Sequence, residues 1–127
     1  MIYLAIPYSD PDPAVMESRF EAACRVAGAM MSAGLLVFSP ICHTHPIAVR
    51  CELPRGWEFW RRYDEQHIAA ASAVHVAMMD GWKESRGVTA EIEIAKQLGK
   101  PVVYQSADWE LEKRIIEARI EAEAKSK

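Results

Sequence analysis

Four short apolar runs, each followed by a stretch that could wind as a helix or a turn, constrain this chain more than any other feature. They are Ile2–Ile6, Leu35–Phe38, Val74–Met79 and Val102–Tyr104, all too short for helices and bounded by turn residues. After the first run, Asp12 offers an N-cap and Pro13 a first helical residue. Met16, Phe20, Ala23, Ala27 and Met30 then recur at steps of four and three until Gly34. Further helices are expected from about Trp57 to Ala71, from Val88 to Leu98, and from about Trp109 to Ala124. The stretch from Ile41 to Arg55 contains Pro46 and Pro54 and reads as a loop. Alternating strands and helices imply parallel strands joined by right-handed crossovers. The expected architecture is one α/β domain of three αβα layers around a parallel sheet of four to five strands.

Composition narrows the function classes. A chain of 127 residues fits one domain that buries roughly two thirds of its unfolded surface. A formal charge of −3 argues against a nucleic-acid polymer as partner, because phosphate-tracking surfaces need clustered Lys and Arg. The three cysteines, Cys24, Cys42 and Cys51, cannot complete a disulfide framework, and a reducing cytoplasm is expected. The apolar start lacks a basic flank and ends at Pro7, and no run reaches membrane-spanning length, so no membrane partner is expected. No glycine-rich dinucleotide fingerprint is present, and no cofactor is expected. Apolar residues on the helices exceed what one small sheet can cover: Met16, Phe20, Met30 and Met31, then Phe59, Trp60 and Tyr63, then Leu111, Ile115, Ile116 and Ile120. A homodimer or homotetramer is the expectation.

In parallel sheets, ligands bind beyond the carboxyl ends of the strands. Those ends are Pro7–Asp10, Ser39–His45, Asp80–Gly87 and Gln105–Ser106. Three acids gather there. Glu91 leans toward the packed face of its helix, and its expected place in the first turn would keep it ionised, whereas Glu93 falls on the wet face. Asp64 interrupts the apolar stripe Trp57, Trp60, Ile68, Ala71, and a charge there is costly unless paired or used. Asp80 follows an apolar strand directly. Structural duties compete with each: a helix-dipole contact for Glu91, Arg61 or Arg62 as partner for Asp64, a turn for Asp80. His43 and His45 either line a pocket mouth or bond locally, and their Cys-x-His spacing does not match a zinc ribbon, so no metal is expected. Trp57, Trp60 and Trp82 are candidates to stack a planar ligand, and Trp57 and Trp60 also fit plain core packing. A phosphate site at Tyr8, Ser9 and Asp10 would need Arg19, Arg50 or Arg86 to offset the acids around it.

With those residues placed, the chain resembles the nucleoside 2-deoxyribosyltransferase superfamily, in particular a small branch of it. "IYLAIPYS" is similar to the family's opening strand and substrate-binding loop, which brings in Pro7, Tyr8 and Ser9. "YDEQHIAAASAVHVAMMD" is similar to its aspartate-bearing helix and following strand. "RGVTAEIEIA", with Gly87 and Glu91, is similar to its G-x-x-x-E signature, and "LGKPVVY" to the strand after it. The resemblance implies a flavodoxin-like fold, oligomeric sites and a nucleoside or nucleotide as small-molecule substrate. It also implies Glu91 as nucleophile, Tyr3 orienting it, and Asp64 and Asp80 contacting or protonating the substrate. Such an enzyme passes through an oxocarbenium-like state that a carboxylate stabilises or traps while an acid helps the base depart. Two positions depart from the pattern: Ile6 replaces a glycine, and Glu93 replaces a small residue after Glu91. A nucleotide-binding module that has lost the chemistry is the alternative these departures suggest.

Overall fold

Strand β1, Ile2–Ala5, is a central strand of the sheet because both of its faces are apolar. Leu4 and Ile6 pack toward one helical layer, whereas Tyr3 and Ala5 pack toward the other. The computed structural model of the protein describes residues 1–126. Strands β2 (Val37–Phe38), β3 (Ala73–Met78) and β4 (Val102–Ser106) complete an all-parallel sheet in the order β2-β1-β3-β4. That order and the helices on both faces make the fold three-layered and flavodoxin-like.

One face of the sheet is covered by α1 (Pro13–Ser32) and α5 (Trp109–Ser126), through Ala23, Val26, Ala27, Met30 and Ile116. The other is covered by α3 (Trp57–Ala70) and α4 (Arg86–Gln97), through Ile68, Val88 and Ala95. Each fully buried aliphatic side chain in these layers contributes about 1.5–3 kcal/mol. The start of α1 follows its local chemistry: Asp12 accepts from the Ala14 N–H at 2.9 Å and Pro13 takes the first position. Of the apolar helix residues read from the sequence, Met16, Met30 and Ile116 are buried, while Met31, Phe59, Leu111 and Ile120 stay exposed.

Two expectations about local structure are corrected. Residues 41–55 are not a loop: α2 spans Pro40–Cys51. Its start is specified by Ser39, which accepts from the Cys42 N–H, and by Pro40 in the first turn. Pro46 removes one helical N–H without ending the helix, because Ile41, His45 and Ala48 bury one continuous face. Helix α4 begins two residues before the apolar pattern, where Ser85 accepts from the Val88 N–H at 3.2 Å. Glu91 consequently lies in the second turn, beyond the unpaired N–H groups expected to hold it ionised.

Candidate active site

Helices α2, α3 and α4 and the loop after β1 enclose a cleft of about 390 Å³ at the carboxyl end of the sheet. Its inner wall carries two acids. Asp64 on α3 is 8 % exposed and Glu91 on α4 is 5 % exposed. Between them stands Tyr3, fully buried on β1 and pointing to the α3/α4 layer. The Tyr3 hydroxyl donates to Glu91 Oε2. Among the described residues, no buried side-chain N or O atom lacks a hydrogen-bond partner.

Burial shapes the acidity of all three groups. Burial, reinforced by the nearby Asp64 charge, pushes Glu91 well above the usual carboxylate range, and the Tyr3 hydrogen bond offsets only part of this. Burial raises Asp64 to about 6, against the opposing pull of Tyr3 and His67. Burial and both carboxylates push Tyr3 upward too, so its hydroxyl keeps its proton. Burial and mutual repulsion both act against a second negative charge on this pair of acids. The expectation that the helix start keeps Glu91 ionised is thereby overturned: desolvation acts on it, and the helix end is a turn away.

The rim mixes apolar and charged groups. Trp57 and Trp60 line it from α3, and the Trp60 indole donates to the Pro54 carbonyl at 2.8 Å. Tyr8 and Ser9 line it from the β1 loop, which Arg19 braces by donating to the carbonyl of Ser9 at 3.2 Å. Gly87 lies one helical turn before Glu91, and a Cβ there would meet Glu91 Oε1 at 3.8 Å. Ile6 also lines the cleft and is buried. Arg86 pairs with Glu58 across the entrance, between α4 and α3. Glu93 is exposed on the far side of α4, within 3.5 Å of Gln97.

Several residues expected at the site lie elsewhere. Asp80 is exposed in a separate groove with Arg19, Met78 and Met79, on the α1 side of the sheet. The next residue, Gly81, turns with φ +89° against the Arg19 guanidinium, where a Cβ would have no room. Trp82 packs on the core of the α3/α4 layer, 5.6 Å from the Tyr104 ring, and not in the cleft. Pro7 is buried beneath the loop. His43 and His45 are separated by the winding of α2. His43 faces a groove with Tyr63 and His67, its ring 6.1 Å from Tyr63. His45, 4 % exposed, faces α1, stacked on Phe20.

His45 lies within 2.7 Å of Glu17 through Nε2 and 2.5 Å of the Tyr8 hydroxyl through Nδ1. With the Glu17 carboxylate accepting from Nε2–H, Nδ1 accepts from Tyr8, which fixes that cleft-lining ring against α1. Arg55, beside the cleft entrance, was not singled out from the sequence. Ser9 Oγ donates to its carbonyl at 2.7 Å, tying the two loops together. The pair Ser39-Pro40 was the signal for α2, and with it for both histidine environments. Among the described residues, no group of three or more His, Cys, Asp or Glu is arranged to hold a metal ion. None of the described helices is long and apolar enough to cross a membrane.

No curated protein matches the chain. The family described as Domain of unknown function (DUF1937) matches residues 1–107, a span that holds all four strands and every residue placed in the cleft, and the chain belongs to it.

Proposed function

We propose that this protein cleaves the N-glycosidic bond of a nucleoside or nucleotide, with hydrolysis or transfer to a second base as the outcome. The observation that carries the reading is the Tyr3–Glu91 hydrogen bond beside Asp64, two buried acids in one cleft of nucleoside size. Cleavage needs one ionised carboxylate at the anomeric carbon and one protonated acid near the departing base. A pair of buried acids that resists a second negative charge supplies that count. In this reading Glu91 is the nucleophile and Asp64 the proton donor. The Tyr3 hydroxyl lies beside both: as the substrate develops positive charge, it turns to give its own proton to Asp64 and takes the Glu91 proton in exchange, which leaves Glu91 ionised and Asp64 protonated. Trp57 and Trp60 give the base an aromatic wall. Asp80 has no part in this scheme.

The small-molecule substrate is taken up in a cytoplasmic, homo-oligomeric protein. Exposed Met31, Phe59, Leu111 and Ile120 support the assembly, since their burial needs a second copy. A second reading, a nucleotide-binding module without turnover, draws on the same pKa direction: a Glu91 that prefers its proton is a poor nucleophile at rest. The deciding experiment is a screen of nucleosides and 5′-nucleotides for base release, with and without a second free base. Release that Glu91→Gln removes supports the enzyme. Saturable binding with no release, in the wild type, moves the conclusion to the binding module.

A further inference from the structure

Away from the cleft, two thiols meet between α1 and α2. Cys42 Sγ lies 3.6 Å from Cys24 Sγ, and neither is bridged. Cys24 is exposed and Cys42 half-buried, and both line an open groove with His43, Tyr63 and His67. Free cysteines packed for shape are ordinarily buried and solitary. Here one is open to solvent and touches the other. The geometry points to a thiol–disulfide exchange site at Cys24 and Cys42, which takes a low-molecular-weight disulfide as oxidant and closes into a bridge between α1 and α2.

From 3.6 Å the sulfurs need to approach by about 1.5 Å to reach bonding distance, which requires one or both side chains to turn about χ1. The thiolate of Cys42 attacks one sulfur of the small disulfide. That S–S bond breaks, and its electron pair leaves on the first small thiolate. Cys24 then loses its proton and attacks the Cys42 sulfur, releasing the second small thiolate. Two protein thiols are oxidised to one disulfide, one small disulfide is reduced to two thiols, and the two protons pass to the leaving thiolates. Burial and the Cys42 thiol hold Cys24 at about 11 at rest. The first step removes the Cys42 hydrogen bond that contributes to this, which frees Cys24 for the second step.

The bridge would reach the cleft. Cys42 is in the first turn of α2, whose Pro40, Ile41, Thr44 and Ala48 form one wall of that cleft. Tying this turn to α1 fixes the wall, whatever the cleft binds, so the inference does not rest on glycosidic chemistry.

The test uses Cys51→Ser, which leaves the two thiols in question, incubated with glutathione disulfide and followed by thiol titration and intact mass. Loss of both thiols, with a mass lower by two hydrogens and no glutathione attached, is the expected result. Dithiothreitol should reverse it, and Cys24→Ser should instead keep glutathione on Cys42. Two thiols left free, a lasting glutathione adduct in Cys51→Ser, or a covalent dimer would each overturn the proposal. Peptide mapping of the oxidised wild type reads the same bridge without any substitution.

Discussion

The Tyr3 hydroxyl donates to Glu91 across 88 positions of sequence, joining the first strand to the helix after the third. Both side chains are almost wholly removed from water. A buried carboxyl with one tyrosine partner and an acidic neighbour is expensive, and its proton is what makes it tolerable.

Glu91→Gln should lower base release by on the order of 10³-fold or more, the scale of losing a positioned reactive group. Glu93→Gln, on the solvated side of the same helix, should leave the rate within about twofold, since exposed substitutions change stability by only about 0.5 kcal/mol. Parallel kinetics and melting curves on the two variants check the contrast. Equal losses at equal melting temperature would remove Glu91 from the mechanism.

Tyr3→Phe should destabilise the fold by about 1–3 kcal/mol, because Glu91 loses its donor while remaining buried. The same change should push Glu91 further upward in pKa, since the hydrogen bond is the influence that lowers it. Urea unfolding gives the first number. Infrared titration of the carboxyl bands gives the second, and an unmoved band would contradict it.

Stability should fall as pH rises through the acid range and toward neutrality. Asp64 titrates near 6 when folded against an ordinary 3.8, and Glu91 is shifted in the same direction. The folded chain therefore holds protons that the unfolded chain has released. That advantage is complete below the unfolded values and is lost as pH climbs through the folded ones. For Asp64 the window is pH 4 to 6 and the loss about 1–3 kcal/mol. Asp64→Asn should flatten this part of the profile in urea titrations. An unchanged slope would place the titrating group elsewhere.

Asp80→Asn should change base release by less than about twofold and stability by less than about 0.5 kcal/mol, as for other exposed polar sites. Its groove with Arg19 is separate from the cleft. A large kinetic loss would return Asp80 to the site through a movement of the 80–85 turn.

Light scattering at micromolar concentration should give a dimeric or tetrameric mass, and Phe59→Glu should lower it. Phe59 is 51 % exposed and packs edge-on against Trp60 at the cleft rim, 4.8 Å between ring centres. A monomeric wild type would end the assembly argument.

Local sequence determined the elements whose signals are short-ranged. Apolar runs bounded by turn residues specified β1, β3 and β4, and Asp12-Pro13 with a regular apolar period specified α1, because capping and periodicity act within one or two turns. The inward stripe of α3 likewise marked Asp64 as buried before any packing was known. Helix α2 is not legible locally because Pro46 and Pro54 argue for a loop against the Ser39 cap, and its packing against α1 and β1 offsets what Pro46 takes away. What sequence could not hold is the combination. Tyr3, Asp64 and Glu91 come together only when the parallel sheet sets β1 beneath α3 and α4, while Asp80 falls in the groove with Arg19 on the α1 side. Acidity is set by dehydration and by neighbours distant in sequence, so the lowered Glu91 pKa suggested by a helix start gives way to a raised one inside the fold.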